Sequence, residues 1–85
     1  MDLGTLHMTR SARRHRVGSA HIREVLENAE EPDAIDGKLL VFIGKDSRGE
    51  ELEIGIFPDE RHGDGWVVVH AMPTKYRRRG EEGEE

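Results

Sequence analysis

The fold of this chain is decided by three consecutive segments, which run Leu39-Leu40-Val41-Phe42-Ile43, then Asp46-Ser47-Arg48-Gly49, then Glu51-Leu52-Glu53-Ile54-Gly55-Ile56. The first segment is apolar on both faces, which is typical of a strand covered by other layers. The second contains residues that favour turns, and Gly49 can adopt a positive φ. The third alternates polar and apolar residues, so its apolar side chains share one face of a strand. The stretch therefore predicts a β-hairpin.

A helix is predicted before this hairpin and a third strand after it. Ser19 is a suitable N-cap for a helix that ends near Ala29, and Pro32 prevents its continuation. The apolar residues of this segment recur at helical spacing and are Ile22, Val25, Leu26 and Ala29. Residues 66–71, Trp-Val-Val-Val-His-Ala, are typical of a strand.

These elements predict a small α+β domain, because strands joined by short loops usually pair antiparallel and a helix then covers one sheet face. We expect the N-terminal helix to pack on a three- to four-stranded, mainly antiparallel sheet. A single domain is predicted over residues 1–80. Residues 1–9 are expected to be a frayed lead-in in which residues 6–8 can form a short strand. Residues 81–85 are expected to be a disordered acidic tail.

The composition bounds the class of protein. The chain has 85 residues and no cysteine, so a disulfide framework and a thiolate metal site are excluded. It has no apolar run of the roughly 20 residues that a membrane span requires, and no hydrophobic stretch typical of a secretory signal follows its N-terminal basic residues. We therefore expect a soluble cytoplasmic protein with no membrane partner.

The charges are strongly segregated along the chain, although the net charge is only −5. Residues 7–23 contain five arginines and no acid, residues 24–36 contain six acids and no base, and residues 72–79 contain four cations and no acid. If the two basic segments meet in space, they form a surface suited to nucleic acid. Otherwise they are ordinary solvated side chains paired with nearby acids.

The five histidines do not predict a metal site, because their spacings match no zinc pattern, and no cofactor is expected. His70 is the most interesting of them. Alternation along the third strand places it on the same face as Trp66 and Val68, near the strand end, where an imidazole can transfer protons near neutral pH. The alternative is a half-buried ring bonded to a backbone carbonyl.

Two basic segments supply the other candidates. In the C-terminal segment, Lys75 and Arg77 can stabilise charge on a phosphate, and Tyr76 can stack on an unpaired base or simply cover the sheet edge. The predicted catalytic residues are therefore His70, Lys75, Tyr76 and Arg77. The predicted RNA-binding residues are Arg13, Arg14, His15, Arg16, Arg78 and Arg79.

The order of these features resembles the BrnT-type toxins of the RelE/ParE superfamily of bacterial toxin–antitoxin systems. The resemblance covers roughly residues 13–79. It is carried by Arg14-His15-Arg16-Val17, by the helix from Ile22 to Ala29 with Glu31-Pro32 after it, by Leu40-Val41-Phe42-Ile43-Gly44, by the turn Asp46-Ser47-Arg48-Gly49, by the strand from Leu52, and by Val67-Val68-Val69-His70-Ala71-Met72-Pro73.

The resemblance implies a compact metal-independent endoribonuclease in which the ribose 2′-hydroxyl attacks the adjacent phosphate. It further implies RNA as the substrate, in many members ribosome-bound message, and a cognate antitoxin with a ribbon-helix-helix part that blocks the basic face. Met72 and Pro73 stand where the family presents an arginine. Either His70 and Lys75 substitute for that arginine, or catalysis is weak or lost. The alternative function is a non-catalytic module that binds a protein or nucleic acid through the same basic face.

Overall fold

The computed structural model describes residues 3–61 and 63–76, which form a small α+β domain with one α-helix and a five-stranded mixed sheet. The elements in chain order are β1 (Leu6–Met8), a 3₁₀ turn (Ser11–Arg13), α1 (Ser19–Asn28), β2 (Ala34–Asp36), β3 (Leu39–Lys45), β4 (Glu51–Pro58) and β5 (Trp66–Pro73). The predicted helix and three strands are all present. Within the described residues, no helix has the length and apolar character needed to cross a bilayer.

The strands lie in the order β1-β5-β4-β3-β2, with β1 parallel to β5 and the other neighbours antiparallel. The sheet therefore has five strands, where three to four were expected, because β2 adds an edge strand that no sequence pattern predicted. Residues 6–8 form the short strand that the sequence allowed, and β1 pairs with β5 from Leu6 to Met8. The lead-in is not frayed at Leu3, which is buried in the core.

The hydrophobic core lies between α1 and one face of the sheet. The helix contributes Ile22, Val25 and Leu26, as its periodicity predicted. The sheet contributes Phe42, Leu52, Ile54, Ile56, Val68 and Ala71. Gly44 of β3 keeps this contact close, since a Cβ at that position would lie 3.1 Å from the Val25 Cγ1 atom. We refer to this side of the sheet as the covered face and to the other side as the open face.

A register shift between β4 and β5 determines where the His70 side chain lies. Ile56 pairs with Val68, but Gly55 pairs with His70, so Val69 is the extra residue of a bulge. The bulge reverses the alternation beyond it, so that Ala71 joins Val68 on the covered face. The prediction that His70 shares a face with Trp66 and Val68 is therefore wrong, and His70 lies on the open face.

Gly65 allows the N-terminal segment to approach the sheet closely. Its φ is +92°, and a Cβ there would collide with the backbone carbonyl of Thr5. The next residue, Trp66, donates its backbone N–H to that same carbonyl over 2.8 Å. This close approach positions β1 beside β5 and holds the chain ahead of the 3₁₀ turn.

The β3–β4 turn is organised by the buried carboxylate of Asp46. It accepts hydrogen bonds from the Arg48 guanidinium at 2.6 and 3.0 Å and from the backbone N–H groups of Arg48 and Glu50. The Arg48 hydrogen bond, followed by these backbone donors, holds the pKa of Asp46 below its usual value even though burial opposes the shift. The same carboxylate raises the pKa of Arg48. Gly49 takes the positive φ that the turn prediction assigned to it.

The N-terminus of α1 differs from the prediction in one respect. Gly18 is the N-cap and Ser19 is the first helical residue, so no side chain caps the first turn. No acidic residue lies in that turn. No carboxylate within the first turn itself therefore offsets the positive end of the helix dipole, and the nearby Asp46 carboxylate lies 3.5 Å from the His21 ring.

Candidate nucleic-acid interface

The segment of residues 10–16, which we call the arginine arm, is linked to β5 through the hydroxyl of Thr9. The Thr9 hydroxyl donates to the Val68 carbonyl over 2.8 Å and accepts the Ala12 backbone N–H over 3.3 Å. Ala12 itself is buried in the core. The 3₁₀ turn over Ser11–Arg13 is formed by backbone hydrogen bonds from Arg13 to Arg10 and from Arg14 to Ser11, and the neighbouring side chains of the arm stay on the surface.

The arginines of the arm differ from other cations of the domain in their electrostatic surroundings. Within residues 3–61 and 63–76, no ion pair engages Arg10, Arg13, Arg14 or Arg16. By contrast, Lys38 lies 2.7 Å from Glu60, and Arg23 lies 3.7 Å from Glu27. The arm therefore concentrates uncompensated positive charge on a chain whose net charge is negative.

The second basic segment meets this arm. The rings of His15 and Tyr76 lie 5.9 Å apart between centroids at an interplanar angle of 34°. Lys75 places its Nζ atom 5.6 Å from the centroid of the Tyr76 ring and forms an ion pair of 3.1 Å with Glu50. Of the predicted residues, the structure thus brings His15 together with Lys75 and Tyr76, which follow it in the sequence by about 60 positions.

A groove runs beside the arm at the beginning of α1. Its volume is about 360 Å³, and it is lined by Met8, Ala12, Arg13, Arg16, Val17, Ser19 and Ile22. The lining combines apolar side chains with two arginines, Arg13 and Arg16, and with Ser19, the first residue of α1. Such a groove suits an anionic ligand that also carries an apolar surface, as a nucleotide does.

The predicted catalytic residue His70 lies elsewhere. On the open face, its Nε2 atom is 3.0 Å from Oε1 of Glu53, with side-chain exposures of 39% for the imidazole and 14% for the carboxylate. The groove that it lines contains none of the predicted basic residues, whereas Arg13 and Arg16 line the groove at α1. The structure therefore separates His70 from the arginine arm. The predicted residues Arg77, Arg78 and Arg79, and the tail at 81–85, lie outside the described residues.

Sequence reasoning missed the acidic partners of two candidates. Glu50 pairs with Lys75, and Glu53 pairs with His70. The antiparallel register of β4 and β5 brings these residues together, and neither is close to its partner in sequence. A correct alignment of the two strands would have revealed Glu53, because it is next but one to Gly55, the residue opposite His70. The described residues contain no cluster of three His, Cys, Asp or Glu side chains arranged to hold a metal ion.

Comparisons with protein families, with characterised proteins and with solved structures gave no significant match to this chain. The resemblance to BrnT-type toxins rests on the order of sequence features alone and remains a hypothesis.

Proposed function

We propose that this protein binds single-stranded RNA at the surface formed by the arginine arm, Lys75 and Tyr76, and that it cleaves the bound strand without a metal ion. The observation that carries the proposal is the meeting of His15 and Tyr76 beside four arginines that no described acid neutralises. Cations without acidic partners are available to phosphates, because binding does not first require an ion pair to be broken.

Each part of this surface matches a part of an RNA strand. The guanidinium groups of Arg13 and Arg16 can each hold a phosphate through paired hydrogen bonds. Tyr76, which is 43% exposed, offers a ring on which an unpaired base can stack. The apolar side chains that line the groove at α1 can contact the ring of a second base. An unpaired strand presents both its bases and its phosphates to such a surface, whereas a duplex hides its bases.

The geometry favours His15 over His70 as the proton-transfer residue. His15 lies within the arginine arm, and within the described part of the chain no hydrogen bond engages its ring nitrogens. In the proposed reaction a ribose 2′-oxygen bonds to the adjacent phosphorus and its proton passes to a base. The bond to the 5′-oxygen breaks, and that oxygen takes up a proton, which leaves a 2′,3′-cyclic phosphate and a 5′-hydroxyl. The arginines stabilise the charge that develops on the phosphoryl oxygens.

The resemblance to BrnT-type toxins supports a biological setting for this activity. In that setting the protein is the toxin of a bacterial type II toxin–antitoxin pair, acts in the cytoplasm on RNA, and is inhibited by an antitoxin with a ribbon-helix-helix part. The α+β domain with its helix on a mainly antiparallel sheet is of the general kind that the resemblance implies.

A second candidate function, binding without cleavage, is favoured by the separation of the predicted catalytic residues. His70 is paired with Glu53 on the open face, and Lys75 is paired with Glu50, so neither stands ready beside a phosphate on the arm. A binding module requires only the arginines and the exposed aromatic ring. The two candidates share a surface and differ in whether His15 acts as an acid or base.

The deciding experiment uses a 5′-labelled single-stranded RNA of 12 nucleotides in the presence of EDTA, with wild type, His15→Ala and His70→Ala. We expect wild type and His70→Ala to release fragments that end in a cyclic phosphate. His15→Ala should cleave about 100-fold more slowly or worse, with RNA affinity changed less than about threefold. The same variants expressed in bacteria should arrest growth in the order of their cleavage rates.

The other outcomes assign the function differently. RNA binding by all three proteins with no fragments would support the binding module. Cleavage that survives His15→Ala but is lost in His70→Ala would place the chemistry on the open face and overturn the assignment of His15 as the proton-transfer residue.

A further inference from the structure

The open face of the sheet is an apolar surface that no described element covers. The 3₁₀ turn and α1 pack on the other face through Ala12, Ile22 and Leu26. A groove of about 440 Å³ extends across the open face from β2 to β5. Its floor consists of Leu39, Val41, Ile43 and Val69, all of which remain partly exposed.

The charge of this face is opposite to that of the arginine arm. Asp33 and Glu53 line the groove, where Asp33 Oδ2 accepts the Ile43 backbone N–H over 2.7 Å and Glu53 Oε1 lies 3.0 Å from the His70 ring. The strand register adds Asp36 of β2, Glu51 of β4 and Lys45 of β3 to the same face. With four carboxylates and one ammonium group, the face repels a polyanion and attracts cations.

We infer that this open-face groove binds a cationic amphipathic helix of a protein partner, whose aliphatic side chains contact Val41, Ile43 and Val69 while its Lys or Arg side chains reach Asp33 and Glu53. A sheet with one bare apolar face is completed by a helical layer. The four strands from β2 to β5 span three inter-strand spacings, roughly 14 Å, which accommodates one helix of about 10–12 Å diameter.

This inference is independent of the proposed function. The groove and the arginine arm lie on opposite faces of the sheet, so a helix in the groove does not cover His15 or Tyr76. Loss of RNA cleavage would therefore leave the inference intact, and loss of helix binding would leave the RNA surface intact. A partner seated here can remain bound while RNA occupies the arm.

The test uses a synthetic helical peptide of 14 residues with leucines on one face and lysines flanking them, and a scrambled peptide of identical composition. Binding to the full chain is followed by ¹⁵N–¹H correlation spectra and by fluorescence anisotropy. We expect shifts confined to Val41, Ile43, Val69, Glu53 and their strand neighbours, and binding of the scrambled peptide at least about fivefold weaker.

Matched variants separate charge on this face from overall charge. Asp33→Asn/Glu53→Gln retains hydrogen-bonding groups at both positions and should weaken binding of the amphipathic peptide about fivefold, as loss of two partly exposed charge contacts predicts. Glu27→Gln/Glu30→Gln removes the same charge from α1 and from the loop after it, neither of which lines the groove, and should weaken peptide binding less than about twofold. The dispersion of the correlation spectrum checks that each variant retains its fold.

Several outcomes would overturn the inference. Equal weakening by the two double variants, equal binding of the scrambled peptide, or shifts centred on the arginine arm would each do so. Shifts of Val41 and Val69 when a single-stranded RNA of 12 nucleotides is added would assign the groove to nucleic acid. If the resonances of the same residues shift when the protein is diluted, a second copy of the chain occupies the groove. If they shift in the variant Arg77→Ser/Arg78→Ser/Arg79→Ser, the chain's own C-terminal segment occupies it.

Discussion

The four arginines of the arm, which form no ion pair with any described acid, predict a specific dependence of RNA affinity on salt. Each arginine that neutralises a phosphate releases a counterion, so four such contacts give a slope of about −2.8 in log affinity against log salt for a single strand. Affinity should then fall roughly 50-fold between about 50 and 200 mM salt. Replacing Arg13 and Arg16 by glutamine leaves two contacts, for which the slope is about −1.4 and the loss roughly sevenfold.

The assay is fluorescence anisotropy of a labelled single-stranded RNA, repeated at four or more salt concentrations for each protein. The matched control is Arg23→Gln/Lys38→Gln, which removes the same two charges from cations that already face Glu27 and Glu60. We expect the control to keep the wild-type slope, since only contacts to phosphate enter it. Equal slopes for wild type and Arg13→Gln/Arg16→Gln, or an equal reduction in the control, would refute the assignment of the arm as the phosphate-binding surface.

Three further predictions concern stability and are all measured by urea unfolding. Leu26→Ala should lower the free energy of unfolding by about 3 kcal/mol, because Leu26 is fully buried between helix and sheet; a loss below about 1 kcal/mol would contradict this packing. Gly65→Ala should lower the free energy of unfolding by more than about 2 kcal/mol, and Gly49→Ala by only about 1 kcal/mol. Both glycines have positive φ, but only a Cβ at Gly65 would collide with backbone, that of Thr5. Asp46→Asn should lower the free energy of unfolding at neutral pH, because the pKa of Asp46 is lowered in the folded state and its ionised carboxylate therefore stabilises the fold at pH values above 3.8. That contribution disappears as the pH falls through the folded-state pKa, so wild type and variant should be equally stable in strong acid. A stability difference that does not change with pH would refute the role of the Arg48 pair.

Much of the fold followed from local patterns. The helix around Leu26, the hairpin turn at Gly49 and the alternating strand through Ile54 depend on neighbours in sequence, and they lie where those patterns predicted. The parallel pairing of β1 with β5 could not be predicted in this way. Leu6 and Trp66 are separated by nearly the whole chain, and three residues of β1 carry no periodicity of their own.

The site was only partly predictable for a similar reason. The two basic segments were recognisable from charge alone, but their contact through His15 and Tyr76 depends on the sheet order. The bulge at Val69 made the predicted face of His70 wrong, because a single extra residue moves every later side chain of the strand to the other face. No local signal in a run of valines marks which of them is the extra one.

The pairing of the first strand with the last has a consequence for biosynthesis. The arginine arm is translated before β5, but the Thr9 hydroxyl next to the arm donates to the Val68 carbonyl of β5, and the His15 ring lies 5.9 Å from the Tyr76 ring. A nascent chain that ends before β5 has neither anchor, so its arginines remain on an unanchored segment. Long-range pairing of this kind is formed late because the intervening loop must first be closed. The surface proposed to bind RNA is therefore assembled only after β5 and Tyr76 have been synthesised, and a product truncated before β5 would carry the charge without the geometry.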